Sequence, residues 1–317
     1  MTIVVERPGL HTTVQDLGRP GHQHEGVPVG GAMDDVALRV ANLLAGNAPG
    51  AAALEATLAG PVLRFERTTR IALAGADLGW TVDGRPVAPW RSVVVPAGGV
   101  VAAGQTRAGC RGYLAVVGGL DVPVVMGSRG TYAPATMGGL HGRSLRAGDV
   151  LPLVRDPSQP RGAGRIVAPS ARPAYGDVVR LVLARHAELL SASSRARLLD
   201  APFRVSAHSD RMGVRLETEG APLALETRLE PLSAGVAMGT VQLPAGGTPI
   251  ILMADRQTTG GYPRLGEVAT VDLPVVAQLR PGDRVRFAPV SLAEAQRLYL
   301  ARERELALLA RVLGAGA

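Results

Sequence analysis

The sequence predicts a mainly β protein whose two halves are built alike. Three observations carry this. Gly 40 and Pro 24 stand against an aromatic content of only 3% in 317 residues, which favours many tight turns between short strands over a helical bundle. Short β-branched runs bounded by Gly, Pro or Asp recur along the chain. Three motifs return in the same order: VPAGG at 95–99 as LPAGG at 243–247, Gly112-Tyr113 as Gly261-Tyr262, and LRAGDVLPLV from Leu145 as LRPGDRVRFAPV from Leu279.

The spacing of the repeat sets the domain plan. Pro96 to Gly112 spans 16 residues and Pro244 to Gly261 spans 17, whereas Gly112 to Gly148 spans 36 and Gly261 to Gly282 only 21. One fold used twice, with a loop inserted in the first copy within 127–142, satisfies both intervals; surface loops tolerate insertions of this size and often carry function. The expected plan is a first domain over 1–154, a linker over 155–174 rich in Pro, Arg, Gly and Ser, a second domain over 175–290, and a C-terminal helix over 291–317.

Expected strands include Val4-Val5, Ile71–Leu73, Val93–Val95, Tyr113–Val117, Val178–Leu183, Ile250–Met253 and Val285–Phe287. Three helices are expected. Asp34 is placed to cap Asp35–Ala45 and Gly46 to close it, with Val36, Val40, Leu43 and Leu44 on one side. His186–Leu199 has a weaker helical pattern. From Ser291, Ser-Leu-Ala-Glu matches a capping box, and Leu298, Leu306, Leu309 and Leu313 continue an apolar side.

Composition removes several chemistries. All 34 Lys+Arg residues are arginine, which excludes a lysine Schiff base, a Walker-type phosphate loop, a kinase built on a β3 lysine, and biotin carried on this chain's own lysine. The net charge of +7 comes from scattered arginines without a basic stripe or interleaved aromatics, so nucleic acid is not expected as a partner. No apolar run approaches the roughly 18 residues of a membrane span, and the N-terminus has no signal-peptide pattern. With a single cysteine, Cys110, a disulfide framework is excluded and a cytoplasmic location is expected.

Three segments set an acid and an arginine beside glycines: TTVQDLGRPGHQH (12–24), HSDRMGVRL (208–216) and ADRQTTGGYP (254–263). A carboxylate next to a guanidinium stays ionised and fixed, while the guanidinium fork takes a carboxylate or phosphate bidentately. Such pairs can simply tie loops together. Three of them in one chain favour a site for a small anionic or amide substrate.

His22 and His24, two apart, would face the same way on a strand, but no third ligand stands at a familiar spacing, so no metal site is expected. His22 is read as a hydrogen-bonding or acid-base group, with a structural role as the alternative. GVPVGGAMDD (26–35) reads as a turn and helix cap, because Asp34 and Asp35 occupy the place an anion would take. Cys110, beside a strand with no histidine-acid pair, reads as structural. Ser128 in GSRGTY lacks a nucleophile elbow and is a candidate substrate-binding hydroxyl.

Through PGLHTTVQDLGRPGHQHEGVPVGGAMD, ANLLAGN, AALEATLAGP, GYLAVVGGLDVPVVMGSRGTY, GGLHGRSLRAGD, SDRMGVRL, LMADRQTTGGYP and AQLRPGD, nearly the whole chain resembles one family. Its members go by the names 5-oxoprolinase C subunit, allophanate hydrolase subunit 2, and biotin-dependent carboxyltransferase. The chain is also similar to the antagonist of a sporulation-kinase inhibitor and to part of the carboxyltransferase region of urea amidolyase. The resemblance implies two tandem cyclophilin-like β-barrel domains. It also implies two companions, the inhibitor-like B subunit of 5-oxoprolinase together with its A subunit. The complex would use ATP to open 5-oxoproline to glutamate.

The resemblance implies two alternatives: a carboxyltransferase acting on urea or another amide, with biotin on another protein, and a non-catalytic regulator that binds a kinase inhibitor. The chain departs from the family at Gly130, where a second serine is expected. For the oxoprolinase, the candidate catalytic residues are Asp255, Arg256, Asp16 and Asp210. The candidate substrate-binding residues are Arg211, Gln257, Thr258, Thr259, Tyr262, Gln15, Arg19, His22 and Ser128. In this hypothesis Arg256 and Arg211 hold the anionic part or the activated intermediate, Asp255 and Asp16 orient amide N–H groups or accept a proton, and Gln257, Thr258 and Tyr262 place the carbonyl.

Overall fold

The computed structural model describes residues 2–154, 164–227 and 229–314. They divide into two units: residues 2–19, 30–154, 164–173 and 305–314, and residues 20–29, 174–227 and 229–304. Residues 20–29 group with the second unit, 164–173, read as linker, group with the first, and the expected C-terminal helix is divided, 291–304 with the second unit and 305–314 with the first. Residues 155–163 of that linker lie outside the described residues.

In the first unit, Thr2–Arg7, Val62–Phe65, Thr81–Val82, Arg85–Pro86, Val100–Ala102 and Val150–Pro152 form a six-stranded sheet. His11–Gln15, Ala53–Thr57, Thr69–Asp77, Arg91–Val95 and Ala108–Val116 form a five-stranded one. The core draws on both: Ile3, Val5, Leu63, Phe65 and Val101 from the first, and Val14, Leu54, Ile71, Leu73, Leu114 and Val116 from the second. Strand Thr69–Asp77 is buried on both faces. Ile71 and Leu73 enter the core, and on the alternate face the small Ala72 and Ala74 let helix α1 (Asp35–Ala45) pack closely.

Helix α1 starts and stops as its sequence dictates. The Asp34 carboxylate accepts the Ala37 N–H at 2.9 Å, and Gly46, at φ 97°, closes the last turn. ANLLAGN is held beyond the helix by its asparagines: Asn42 Nδ2 donates to the Ala51 carbonyl at 2.7 Å, and Asn47 Nδ2 donates to the Val116 carbonyl at 2.8 Å. Residues 164–167 extend the five-stranded sheet, with the Arg165 N–H on Ser92 Oγ at 2.9 Å and a bridge from Ile166 to Arg91.

The second unit closes into a seven-stranded barrel. Its order is Val178–Leu183, Arg264–Val268, Thr240–Gln242, Ile250–Leu252, Gly213–Thr218, Phe203–Val205 and Arg284–Pro289, and the last strand returns parallel to the first. Inward residues fill it, among them Leu181, Val214, Leu216, Val241, Ile251 and Leu265, with Phe203 and Phe287 tilted against each other at 5.7 Å. The expected helical stretch from His186 is a 3-10 turn (Arg185–Leu189) followed by α2 (Ala192–Asp200), because Ser191 supplies the cap that accepts the Ser194 N–H. Asp272, just before α3 (Leu273–Gln278), accepts the Arg180 Nε–H and backbone N–H, both at 2.7 Å. Helix α4 (Leu292–Val312) begins at Ser291, whose Oγ accepts the Glu294 N–H at 3.2 Å. The Glu294 carboxylate turns instead to Arg297, so only half of the expected capping box forms.

The sequence repeat is a repeat of hydrogen bonds. In LRAGD the Asp149 carboxylate accepts the Arg146 N–H at 2.7 Å, the Gly148 N–H donates to Val5 O, and the Val5 N–H donates to Asp149 O. In LRPGD the Asp283 carboxylate accepts the Arg280 N–H at 2.8 Å, and Gly282 and Asp283 pair with Val205 in the same way. Both PAGG turns close with the last glycine N–H on the proline carbonyl, at 2.9 Å each. No helix among the described residues is long and apolar enough to cross a membrane.

Under α1 lies a buried polar chain. The Tyr113 hydroxyl donates to Glu55 Oε2 at 2.6 Å and accepts the Asp34 N–H at 2.8 Å, while Glu55 Oε2 also accepts the Met33 N–H at 2.8 Å. Burial, then the Glu55 charge, holds the tyrosine protonated far above its ordinary range. Tyr113→Phe would strip a donor from Glu55 and an acceptor from the Asp34 amide. It is expected to destabilise the protein by about 1–3 kcal/mol in urea denaturation; an unchanged midpoint would show the chain of bonds to be dispensable.

Candidate functional site

Strand Ile250–Leu252 carries the chain into ADRQTTGGYP, and the pairing with the neighbouring segment continues past the end of the ladder. The Met253 N–H donates to the Met212 carbonyl and the Asp255 N–H to the Arg211 carbonyl, both at 2.9 Å. This backbone register sets Arg211 beside Asp255, and the pair is bidentate: Nε to Oδ2 at 2.9 Å, Nη2 to Oδ1 at 3.0 Å, with both side chains largely buried. The clusters at 208–216 and 254–263 therefore converge. Asp210, at the start of the turn, caps it by accepting the Met212 and Gly213 N–H groups at 2.8 and 3.1 Å.

Asp255 is thereby committed to Arg211, and Arg256 is left differently placed. Its residue is 9% exposed, and its guanidinium donates to the Val236 and Met253 carbonyls, at 3.3 and 3.4 Å. Burial pulls its pKa down, and the charge of Glu267 opposes the shift. Arginine keeps its proton at neutral pH even so. The group is a desolvated cation without a carboxylate in contact among the described residues.

Glu267 is its counterpart. It stands opposite Thr240 in the barrel register, and the Thr240 hydroxyl is shared between its two oxygens at 3.0 and 2.9 Å. Burial raises its pKa against the pull of Thr240, Arg264 and Arg256. Further along the loop, Gln257 Nε2 donates to Gln242 Oε1 at 3.4 Å. A Cβ at Gly260 would lie 2.4 Å from Gln242 Nε2, so a larger residue there would displace the Gln242 amide. Thr258 accepts the Val236 N–H through its carbonyl, Thr259 pairs with Gly235 in a two-stranded ribbon, and Tyr262 is half exposed.

The first unit holds a second cluster, built by the insertion. Asp16 accepts Ser128 Oγ–H and the Arg129 N–H, each at 2.6 Å, and the Gly18 N–H at 2.8 Å. Arg19 donates to the Gly130 carbonyl at 2.5 Å and the Val125 carbonyl at 3.4 Å. Gln15 Nε2 donates to Thr13 Oγ1 at 3.0 Å and the Thr131 carbonyl at 3.1 Å, while its Oε1 is buried without a partner. Ser128, 1% exposed, also accepts the Gly130 N–H at 2.9 Å, so its hydroxyl positions Asp16. A Cβ at Gly130 would stand 2.9 Å from Asp16 Oδ1, 3.1 Å from Gln15 Oε1 and 3.1 Å from Ser128 Oγ. A serine there would require this cluster to be rearranged.

His22 and His24 do not lie on a strand. They flank the start of a 3-10 turn (Gln23–Glu25), because Gly26, at φ 80°, closes it, and His22 Nδ1 lies 3.1 Å from Glu25. Among the described residues no group of three His, Cys, Asp or Glu is arranged to hold a metal ion. Cys110 is buried.

The family model for the carboxyltransferase domain, subdomain A and B, matches residues 25–289. The chain belongs to this carboxyltransferase domain family. It is 37% identical over 301 residues to the 5-oxoprolinase C subunit of Haemophilus influenzae, covering 95% of each chain. With the 5-oxoprolinase C subunit of Escherichia coli it is 39% identical over 293 residues, 91% of each. Among solved structures it is similar to Kluyveromyces lactis urea carboxylase, with a TM-score of 0.88 at 30% identity. That match covers 97% of this chain but only 29% of the urea carboxylase; the chain corresponds to one part of that protein.

Sequence reasoning missed Glu267, Thr240 and Gln242. RLGEVATVD offers no local signal for Glu267, because its significance comes from Thr240, its register partner on the neighbouring strand, and from the charge of Arg256. Its raised pKa gives a signed prediction. The fold favours the protonated form, so its stabilising contribution is fully present below the ordinary value of 4.5 and is lost as pH rises through the raised one. Glu267→Gln, which mimics that form, is expected to melt above the parent at pH 7, with the advantage shrinking toward pH 4. Melting curves that differ by the same amount at every pH would refute this.

Proposed function

We propose that this chain is the C-type component of an ATP-dependent 5-oxoprolinase, which acts with an A-type component and an inhibitor-like B-type component to convert 5-oxo-L-proline to L-glutamate. The two 5-oxoprolinase relatives, similar along nine-tenths of their length or more, support this reading. The observation that carries it is the desolvated Arg256 guanidinium, held without a carboxylate next to an Asp255 already locked onto Arg211.

Opening the lactam breaks its C–N bond, adds a water oxygen to the carbonyl carbon and returns a proton to nitrogen. Charge develops on the carbonyl oxygen as the carbon becomes tetrahedral. A fixed cation that needs no reorganisation stabilises that charge, typically by about 3–4 kcal/mol per donor removed in other enzymes. The Arg211–Asp255 fork sets the backbone that presents Arg256. Glu267, whose charge Arg256 feels and whose pKa burial raises, is the group suited to hold or move the nitrogen's proton. The ATP consumed belongs to the complex as a whole, and this chain is inactive alone.

A second reading is favoured by the likeness to urea carboxylase: transfer of a carboxyl group to urea or a similar amide. With all 34 basic residues arginine, biotin would then be carried by another protein. The same Arg256 and Glu267 would meet the same planar N–C=O group.

The test is glutamate formation from 5-oxoproline and ATP by the co-expressed trio, with each component omitted in turn. Activity is expected only with all three present. Arg256→Lys is expected to lower kcat by about a hundredfold or more. A silent trio would move the assignment to carboxyl transfer, and an unchanged rate in the variant would remove Arg256 from the site.

A further inference from the structure

The second unit holds a cavity of about 340 Å³ on the far end of the same polar loop, lined by Arg185, His186, Leu232, Gly260, Tyr262 and Arg264 together with alanine and proline side chains. That volume lies in the range of small-molecule sites. Among the described residues, every charged group lining it is a cation, and no carboxylate lines it. Glu267 reaches Arg264 through its field.

The histidine is fixed rather than free. Nδ1 of His186 accepts the Arg264 backbone N–H at 3.0 Å, so in the neutral ring the proton sits on Nε2 and that nitrogen is a donor. The Tyr262 residue is 50% exposed and Leu232, on the cavity wall, 92% exposed. Two arginines and a histidine with a fixed tautomer therefore line this cavity beside Leu232. Gly260 is common to the cavity and to the packing of Gln242 against Gln257, which ties the cavity to the loop carrying Arg256.

We propose that this cavity binds the carboxylate of a small organic acid, with Arg185 and Arg264 taking the charge, His186 and Tyr262 orienting it, and the Leu232 wall covering the apolar body. Guanidinium recognition of a planar carboxylate is bidentate and geometrically selective. As the anchor for the carboxylate of 5-oxoproline, the site rests on the oxoprolinase reading above. As a carboxylate site it does not.

The experiment follows the tyrosine ring resonances of the full chain labelled with 13C-tyrosine, where only five tyrosines contribute. It is titrated with 5-oxoproline, cyclopentanecarboxylate, 2-pyrrolidinone and inorganic phosphate. Tyr262 is expected to move saturably with both carboxylates and to ignore the lactam without a carboxylate and the phosphate. Arg264→Gln and Arg185→Gln are each expected to weaken the response about tenfold or more, the scale of one charged hydrogen bond, while an unmoved signal from buried Tyr113 shows each variant folded.

A Tyr262 that ignores both carboxylates, responds equally to 2-pyrrolidinone or phosphate, or is unaffected by both substitutions would overturn the proposal. The two readings fail separately. A carboxylate response in a chain whose complete trio is silent keeps the cavity and removes the oxoprolinase. An active trio whose KM for 5-oxoproline is indifferent to both substitutions keeps the oxoprolinase and removes the cavity as the anchor of 5-oxoproline.

Discussion

A carboxylate taken out of water has to be given donors, and this requirement organises both units. Asp34 takes the Ala37 amide at the start of α1, Glu55 takes a tyrosine hydroxyl and an amide, Asp16 takes two amides and a serine, and Asp255 and Asp272 each take an arginine fork. Asp34, Glu55, Asp16 and Asp272 each accept a backbone N–H and so fix a loop, whereas Asp255 holds the Arg211 side chain. Removing a partner would strand a buried charge, which costs more than the pair contributes. Against that rule Arg256 and Glu267 stand out: a cation with two long carbonyl contacts and an acid sharing one hydroxyl. Groups left short of partners are where a ligand has something to add, and beside these two stand Gln15 Oε1 and Gln242 Nε2, buried without a hydrogen-bond partner among the described residues.

The local parts of this were legible in the sequence. The Asp34 cap, the Gly46 stop and the expected β runs depend on neighbours in the chain, and all appear in the fold. The repeat was legible because a turn such as LRxGD keeps its chemistry: the Asp side chain on the Arg amide, and the Gly and Asp backbone on a valine of another strand. Long-range facts were hidden. Nothing in HSDRM and ADRQ states that Arg211 pairs with Asp255 rather than each arginine with its own neighbouring acid; the register of two strands decides it. The Glu267–Thr240 pairing and the unpartnered Gln15 carbonyl are hidden in the same way. Ser128 was legible as a polar residue in an insertion, but not as the hydroxyl that holds Asp16.

The two copies of Gly-Tyr show how one repeated pattern came to serve different ends. In the first unit, Gly112-Tyr113 lies inside strand Ala108–Val116 and the tyrosine is sunk in the core, its hydroxyl bonded to Glu55. In the second, Gly261-Tyr262 falls between the ribbon strand Thr259–Gly260 and the barrel strand Arg264–Val268, and the ring faces a cavity. The turns that close both units are alike because they answer to backbone geometry. The polar loops between them are free of that demand. In the first unit the insertion supplies Ser128, the Arg129 amide and Thr131, so the loop's hydrogen-bonding capacity is directed inward onto Asp16, Val14 and Gln15. In the second unit no such segment is inserted, and Arg256, Gln257 and Tyr262 are left with capacity to spare. A loop so rich in donors, following a buried strand, is explained by what its own fold leaves unsatisfied.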